Sequence, residues 1–385
     1  MAFIKEELKI KYGMVGGGQG AFIGDVHRKS IALDDMARIA AGCFSRSFEN
    51  TLATGGILGI PADRCYKTFD EMAQAEAKHQ EKIDFAVIVT PNSTHFAAAK
   101  ALLNAGIHVM CDKPLCFEPE EAEELINISK SNNLLFGITY TYTGYPAVKQ
   151  IREMIKQGEI GGIRFVNAEY PQEWLASPVE KGDNKQAKWR FDPEITGKTN
   201  CVGDIGSHIE NMAAYMTGLK INKLCARLDK IVDGRKMDDN ASIMIEYEGG
   251  AKGLYWSSQI AVGYDNALRV RIFGEKGTIE WSQETPNYID IFKLGQPNER
   301  WSRGRNGFYQ HAQNYSRIPA GHPEGYFEAM ANIYRTFIGA IVSIKKGQKP
   351  ENLDFPDLEM GKKGVIFINK CVESSGKGSI WVDFP

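Results

Sequence analysis

The sequence predicts an α/β protein with two domains. A doubly wound parallel sheet is expected over residues 1–141, and an α+β domain with a large, open, mostly antiparallel sheet over residues 142–385. Three observations predict this division. Short apolar runs alternate with helical patterns in the first part, a glycine-rich turn follows the first run, and the later runs alternate apolar with polar residues.

The first domain is predicted from its apolar runs. The segment IDFAVIVT, residues 83–90, is almost continuously apolar, which is typical of a strand covered on both faces. The other strands of this domain are predicted at residues 8–15, 36–45, 106–111 and 134–140. Helices are predicted between them at residues 48–58, 68–78, 94–104 and 119–131.

The second domain is predicted to begin with a helix at residues 146–157. Its strands are indicated by the runs IRFVNAEY, ASIMIEYEGG, AKGLYWSSQI, LRVRIFGEKGTIEW and YIDIFKL, which are separated by turn-like glycine segments. Further helices are expected at residues 205–217 and 324–342, and residues 296–322 are polar and irregular. A C-terminal helix is expected to pack back on the first domain.

Composition excludes several classes of protein. The chain of 385 residues is 43% hydrophobic and 24% charged, with a net charge of −2, so no basic surface for nucleic acid is indicated. No window reaches the roughly 18 apolar residues of a membrane span, and the first residues do not resemble a signal peptide. We therefore expect a cytoplasmic protein whose partner is a small molecule.

The seven cysteines are scattered along the chain, and we expect free thiols. Cys111 and Cys116 are spaced CxxxxC with His108 nearby, but no second pair of soft ligands follows, so no metal site is predicted. The simpler interpretation is that Cys111 ends a buried strand and Cys116 packs in the loop after it.

The segment GMVGGGQGAFIG follows the first strand. Gly16, Gly18 and Ala21 fit the pattern GxGxxG/A, and Gly17 and Gly20 add two permissive positions. Glycines let the backbone turn tightly and approach a pyrophosphate, which then lies at a helix N-terminus. Because a strand precedes the loop and a helical pattern follows it, the segment predicts a dinucleotide-binding Rossmann domain.

The end of the second strand bears on the choice of cofactor. An acid usually follows it to bind the ribose 2′-hydroxyl, but Ser45, Arg46 and Ser47 stand there, and no acid comes before Glu49. Ser45 and Arg46 could bind a 2′-phosphate. The alternative is a helix N-cap at Ser45 or Ser47 beside a solvated arginine. The predicted cofactor is therefore NAD(P), with both forms open.

Polar residues follow two neighbouring apolar strands. In open α/β sheets, ligands bind outside the carboxyl ends of the strands. Asn92 follows the run at residues 83–90, and Asp112 and Lys113 follow the run at residues 106–111. These three residues are therefore candidates for the edge of a binding site.

The second domain supplies Asp204 and His208 in the segment GDIGSHIENM. Four residues apart, they share one face if the segment is helical. His208 could act as the base for an alcohol proton, Lys113 could stabilise the developing alkoxide, and Asp204 could orient the substrate or the imidazole. The alternative is that Asp204 caps a helix and His208 is a core residue.

These segments resemble the Gfo/Idh/MocA family of oxidoreductases over nearly the whole chain. The resemblance is carried by VGGGQGAFIG, TPNSTHFAAAKALLNAGIHVMCDKP, KWRFDPEITG and GDIGSHIENM. One position departs from the family's E-K-P pattern, because Asp112 stands in place of glutamate before Lys113 and Pro114. The resemblance implies the fold described above, a bound dinucleotide, and homodimers or homotetramers that form through the C-terminal sheet.

The resemblance also assigns residues to roles. Lys113, Asp204 and His208 match the family's catalytic residues. The implied cofactor contacts are Gly16, Gly18, Gly20, Ala21, Ser45, Arg46, Pro91, Asn92, His95, Asp112, Lys113, Trp189 and Arg190. The implied substrate contacts are Lys113, Tyr142, Trp174, Asp204, His208 and His322.

The expected activity is hydride transfer between a nicotinamide and a ring hydroxyl of a sugar, glycoside or cyclitol. Oxidation of a glucose-like sugar or glucoside at C3 is favoured. Two alternatives stay open: a redox-neutral glycoside-cleaving enzyme with tightly bound NAD, and a non-catalytic sensor of sugar or dinucleotide with the same fold.

Overall fold

The computed structural model describes residues 9–385, which fall into two units. The first unit contains the described residues up to Thr141 together with Met330–Lys362. The second unit contains Tyr142–Ala329 and Lys363–Pro385. Residues 330–362 thus belong to the first unit, although the sequence predicts a single boundary after residue 141. The predicted first strand begins at Leu8, which lies outside the described residues.

The first part of the chain alternates strands and helices, as predicted. Its elements are β1 (Ile10–Gly16), α1 (Phe22–Ala32), β2 (Ala37–Cys43), α2 (Phe48–Ile57), α3 (Phe69–Lys78), β3 (Phe85–Val89), α4 (His95–Asn104), β4 (His108–Cys111), α5 (Pro119–Ser131) and β5 (Phe136–Ile138). The strands form one parallel sheet in the order β2-β1-β3-β4-β5. The strand order reverses between β1 and β3, which is where such sheets bind ligands.

Local sequence explains these elements well. All five residues of β3 are buried, in agreement with its continuous apolar run. The α5 helix has the predicted bounds because Pro119 occupies its first turn and the Glu121 carboxylate accepts a hydrogen bond from the backbone N–H of Glu118 at 3.1 Å.

The second part of the chain carries the larger sheet. Its elements are α6 (Pro146–Lys156), β6 (Ile163–Pro171), α7 (Lys185–Arg190), α8 (Pro193–Thr196), a π-helix (Val202–Gly206), α9 (Ser207–Thr217), β7 (Ile221–Asp229), β8 (Asn240–Tyr247), β9 (Lys252–Ser258), β10 (Arg269–Gly274), β11 (Gly277–Ser282), β12 (Tyr288–Lys293), β13 (Glu299–Ser302), α10 (Gln310–Gln313), α11 (Tyr326–Lys345), α12 (Leu358–Gly376) and β14 (Val382–Asp383).

The nine strands lie in the order β13-β12-β11-β10-β6-β9-β8-β7-β14. All neighbours are antiparallel except β6 and β9, which are parallel. The predicted fold class is therefore confirmed. Residues 296–322 are less irregular than predicted, because β13 and α10 lie within them.

Candidate active site

The glycine loop lies between β1 and α1. Gly16, Gly17 and Gly20 have φ angles of +86°, +73° and +83°, which residues with a side chain rarely adopt. A Cβ atom at Gly24 would lie 2.4 Å from Cα of Gly17, so strand and helix pack at a distance that only glycine permits. The sequence pattern is thus explained by backbone conformation and close packing.

The N-terminus of α1 fits a pyrophosphate. Its N-cap, Ala21, provides no side-chain hydrogen bond, and the loop is exposed from Gln19 to Ala21. A Cβ atom at Gly20 would meet nothing within 4 Å, so the backbone is open on this side. The N–H groups of a helical first turn have no partners within the helix and can donate to the oxygens of an anion.

Two residues of α2 hold this loop, and their role is not evident from the glycine pattern. The backbone N–H of Gln19 donates to the Asn50 Oδ1 at 3.0 Å and to the Thr54 Oγ1 at 3.1 Å. The Asn50 side-chain amide donates back to the Gln19 carbonyl at 3.2 Å. These contacts fix the loop on the side of β2.

Of the three residues expected near the ribose, Ser45 and Ser47 make local hydrogen bonds and Arg46 is exposed. Ser47 is the N-cap of α2, because its side chain accepts from the backbone N–H of Asn50 at 3.3 Å. The Ser45 hydroxyl accepts from the backbone N–H of Ser47 at 3.1 Å. Arg46 is exposed. The N-cap interpretation therefore holds for Ser47 and leaves the Arg46 guanidinium accessible.

His95 ties together the two polar segments at the ends of β3 and β4. Pro91 and Asn92 lead into a short 3-10 turn, and His95 begins α4. Its ring is 1% exposed, with Nδ1 2.8 Å from the Pro114 carbonyl oxygen and Nε2 2.8 Å from the Thr90 carbonyl oxygen. His95 therefore connects the turn after β3 to the turn after β4.

Asp112 is held by side chains of its own unit. The Thr139 hydroxyl donates to its Oδ1 at 2.5 Å, and the His27 Nε2 lies 3.3 Å from the same oxygen. Burial acts to raise the pKa of Asp112, but the nearby charge of His27 and the hydrogen bond from Thr139 hold that pKa at about 2. The carboxylate therefore stays ionised. Lys113, which follows it, is half-buried.

The cysteines near this edge are packing residues, as predicted. Cys111 ends β4 at 0% exposure and Cys116 is buried in the following loop. Burial raises the pKa of both thiols. All seven cysteines are free and buried. Within residues 9–385, no three His, Cys, Asp or Glu side chains form a group that could hold a metal.

The second unit presents Asp204 on the π-helix and His208 in the first turn of α9. The buried Asp238 anchors this segment, because its carboxylate accepts from the backbone N–H groups of Asn200 at 2.7 Å and Val202 at 2.9 Å. Burial raises the pKa of Asp238 to about 6, against these hydrogen bonds. A π-helix is rare and frequently marks a functional site.

Two side chains hold the Asp204 carboxylate. The Gln259 Nε2 donates to its Oδ2 at 2.9 Å, and the Arg190 Nε donates to the same oxygen at 3.3 Å. The Arg190 guanidinium lies over the rings of Trp189, 4.4 Å from its centroid, and Trp174, 5.4 Å from its centroid. The structure thus brings four predicted site residues together, and Gln259 joins them.

His208 lies among phenol rings. Its ring is T-shaped against Tyr142, with centroids 4.8 Å apart, and 6.2 Å from the ring of Tyr170. The Tyr142 hydroxyl donates to the Tyr170 hydroxyl, which donates to the Asn266 Oδ1 at 2.6 Å. Burial raises the pKa of both phenols, so they stay protonated. His208 is thus buried, at 7% exposure, and its neighbours include aromatic phenols.

This chain of hydrogen bonds continues toward Trp174. The Gln172 Nε2 donates to the Asn266 Oδ1 at 2.6 Å, and the Trp174 Nε1 donates to the Gln172 Oε1 at 3.0 Å. Gln172 and Asn266 are neighbours that sequence reasoning missed, because they lie far apart in the chain. His322 is exposed, and its Nδ1 lies 3.4 Å from the Pro319 carbonyl oxygen.

No helix among residues 9–385 combines the length and the apolar character that crossing a membrane requires.

Two family models match most of the chain. The model described as "Oxidoreductase family, NAD-binding Rossmann fold" matches residues 10–140, and the model of the "GFO/IDH/MocA C-terminal domain" matches residues 148–280. The prediction of a dinucleotide-binding Rossmann domain is therefore confirmed, with NAD(P) as the cofactor.

Individual proteins are similar to the chain over most of its length. The uncharacterized oxidoreductase YfiI of Bacillus subtilis (strain 168) is 36% identical over 382 residues, covering 97% of each chain. The levoglucosan dehydrogenase of Pseudarthrobacter phenanthrenivorans is 28% identical over 324 residues, covering 77% of this chain and 79% of its own.

A solved structure is similar throughout. The inositol dehydrogenase homolog from Azotobacter vinelandii, complexed with NADH and myo-inositol, has a TM-score of 0.91 and 35% identity, covering 98% of each chain. The predicted enzyme class, a dehydrogenase acting on CH–OH groups, is confirmed by these relatives. The chain therefore belongs to the Gfo/Idh/MocA family of NAD-binding oxidoreductases.

Proposed function

We propose that the protein oxidises a ring hydroxyl of a glucose-like sugar, glucoside or cyclitol, with C3 of a glucose-like ring as the favoured position. The observation that carries the proposal is the pairing of Asp204 and His208 on consecutive turns, beside a hydrogen-bonded chain of phenols and amides. Hydroxyls and amides are the groups that a polyol needs to satisfy its own hydroxyls.

Each catalytic residue has one role in this proposal. A bound nicotinamide supplies the hydride acceptor. His208 takes the proton of the reacting hydroxyl, so that the C–H bond breaks with its electron pair while the C=O bond forms. Lys113 donates a hydrogen bond to the reacting oxygen and stabilises its developing negative charge. Asp204 accepts from a substrate hydroxyl and fixes its orientation.

The contacts of Asp204 support this role. The Gln259 amide and the Arg190 guanidinium hold the Asp204 carboxylate in one orientation, as a residue that orients a substrate hydroxyl requires. The Trp174 ring, over which Arg190 lies, offers an apolar face of the kind that a sugar ring stacks on. The names of two relatives agree with such substrates, since one acts on levoglucosan and a structure of another holds myo-inositol.

The remaining predicted contacts complete the proposal. Tyr142 and His322 contribute to the substrate side. The dinucleotide is bound by the glycine loop and Ala21, by Ser45 and Arg46 at the ribose, and by the residues near the catalytic edge, namely Pro91, Asn92, His95, Asp112, Lys113, Trp189 and Arg190.

The test begins with the small molecules that the purified protein carries. Mass spectrometry identifies a co-purified dinucleotide, and the absorbance of reduced nicotinamide is then followed while inositols, levoglucosan, glucose and glucosides are added with NAD or NADP. Net reduction with one polyol, abolished in His208→Asn, is the expected result. A keto sugar or released aglycone without net reduction would instead identify a redox-neutral glycoside-cleaving enzyme. Binding of sugar and dinucleotide without turnover would identify a sensor.

We further propose a homodimer or homotetramer formed through one face of the large sheet. Register places Met244 of β8 opposite Leu254 of β9 on this face, and Phe273 of β10 pairs there with Phe165 of β6. Met244, Leu254 and Phe273 are 47%, 40% and 37% exposed, which is unusual for apolar side chains in the middle of a sheet.

Light scattering after size-exclusion chromatography tests this assembly. Met244→Glu with Leu254→Glu should reduce the mass to that of one chain, whereas Leu294→Glu, in an exposed turn, should not. An unchanged mass in the double variant would contradict the proposed face. We also propose a cytoplasmic location, supported by the seven free and buried thiols.

A further inference from the structure

A histidine that the mechanism above does not use lies behind the catalytic edge. His27 is on α1, and its side chain is 0% exposed. Its Nδ1 lies 2.6 Å from the Tyr334 hydroxyl oxygen and its Nε2 lies 3.3 Å from the Asp112 Oδ1. Buried histidines in contact with a carboxylate are held in one orientation and one tautomer.

Two contacts hold the His27 ring. Its Nε2 lies within ion-pair distance of the Asp112 carboxylate, and its Nδ1 shares a hydrogen bond with the Tyr334 hydroxyl. Burial raises the pKa of the Tyr334 phenol, so its proton stays in place. The Thr139 hydroxyl donates to the same Asp112 oxygen. The three side chains thus direct the Asp112 carboxylate inward.

The group spans elements that are far apart in sequence. His27 is on α1, which begins after the glycine loop, and Thr139 follows β5. Tyr334 is on α11, is 1% exposed, and packs against Phe85 of β3 with ring centroids 6.5 Å apart. The backbone N–H of Asp112 donates to the Ile88 carbonyl at 2.9 Å. Asp112 is therefore fixed through both its side chain and its backbone.

We propose that His27 is a positioning residue for Lys113. By holding the Asp112 carboxylate at ion-pair distance, it sets the course of the backbone from which Lys113 projects, while Tyr334 holds the imidazole ring in place. The proposal rests on the catalytic role of Lys113 for its effect on turnover. Because a shift of about 1 Å can cost roughly a hundredfold in rate, fixing this backbone is as necessary as providing the lysine.

The test compares His27→Leu with His27→Gln, whose side-chain amide can place a donor near the former Nε2. His108→Leu is the matched control, because His108 lies at the opposite end of β4 and accepts from the backbone N–H of Leu135 at 2.8 Å. Hydrogen exchange of the Asp112 and Thr139 amides reports the rigidity of the edge without any substrate. Dinucleotide affinity, kcat and KM are measured in parallel.

We expect faster exchange of these amides in His27→Leu and a kcat lowered by roughly a hundredfold. KM and the dinucleotide Kd should stay within about twofold, since no contact to the ligands is removed. His27→Gln should recover most of both losses, and His108→Leu should show neither. Wild-type exchange and kcat in His27→Leu would overturn the proposal, as would a His27→Gln variant no better than leucine.

Two further outcomes are decisive. If the wild-type protein oxidises no polyol, the proposed function fails. The exchange rates of the Asp112 and Thr139 amides still test whether His27 makes this segment rigid. If His27→Leu does not fold, Tyr334→Phe removes only the hydroxyl that holds the imidazole ring. This variant should show faster Asp112 exchange and a severalfold lower kcat, and unchanged values for both would reject the proposal.

Discussion

Two carboxylates fix the segments that carry the proposed catalytic residues. Asp112 lies beside Lys113, and Asp238 holds the segment of Asp204, but the two carboxylates are stabilised differently. Asp112 is held by side chains, and its pKa falls to about 2. Asp238 is held by two backbone N–H groups, and burial raises its pKa to about 6. The nearby charge of His27 therefore favours the ionised form of Asp112. Burial disfavours the ionised form of Asp238, although two backbone N–H groups bind it.

The difference shows that a fixed position can be obtained in two ways. At the edge of the parallel sheet, the fold already brings strand ends together, and side chains need only orient one loop. In the second unit, Asp204 lies on the π-helix, and Asp238 holds the backbone at and just before the start of that segment. The first site should respond to changes of charge, and the second to loss of hydrogen-bond acceptors.

The largest effect is expected from the catalytic residues themselves. Lys113→Ala and His208→Ala should each lower kcat by roughly a hundredfold or more, the usual scale for acid–base groups. Steady-state rates with the polyol identified by the substrate panel measure this, with circular dichroism as a check of folding. A wild-type rate in either variant would remove that residue from the mechanism. The two units would then not both contribute a catalytic residue.

The pH dependence of stability should differ in sign between the two carboxylates. Asp238 titrates at about 6 in the folded protein, above its ordinary 3.8, so stability should fall as pH rises from about 4 to 6, by up to about 3 kcal/mol. Asp112 titrates at about 2, below its ordinary 3.8, so its contribution is complete above about pH 4 and is lost as pH falls toward 2.

Tryptophan fluorescence during urea unfolding can measure the first of these effects separately. The second unit contains all six tryptophans, Trp174, Trp189, Trp256, Trp281, Trp301 and Trp381. Asp238→Asn should flatten the dependence between pH 4 and 6, while Asp112→Asn should leave it unchanged. Equal slopes in wild type and Asp238→Asn would show that burial does not govern this carboxylate.

Arg46 provides a test of the choice between NAD and NADP. If its guanidinium binds a 2′-phosphate, Arg46→Asp should weaken NADP binding by roughly tenfold and spare NAD, because a charge-assisted hydrogen bond is lost. Isothermal titration with both dinucleotides measures this. Equal losses for the two cofactors would reject a phosphate-binding role, and the Ser47 N-cap predicts that α2 itself is unaffected.

The smallest effect is expected at Gln259. Gln259→Leu removes one donor to Asp204 but leaves Arg190, so kcat/KM should fall by about fivefold, the scale of one hydrogen bond. Gln283→Leu is a control outside this group. A loss as large as that of His208→Ala would mean that Gln259 does more than hold Asp204.

Prediction from sequence succeeded where local pattern determines structure. The α5 helix and the buried β3 strand follow from a capping pattern and a continuous apolar run, and Asp112 and Lys113 follow the end of β4 as expected. The predicted helix over residues 205–217 missed most of the π-helix, whose backbone is held by Asp238 from a distant part of the chain. His27 and Gln259 have no local signal, since their partners lie far along the chain.

The return of residues 330–362 to the first unit has a consequence for synthesis on the ribosome. Tyr334, which holds His27, is made 193 residues after Thr141, the last residue of that unit's first segment. At about 5 to 20 residues per second, this interval is roughly 10 to 40 s. During that time all strands of the Rossmann sheet have been synthesised, but His27 still lacks its contact with Tyr334. The nascent chain therefore completes the contacts behind Asp112 late.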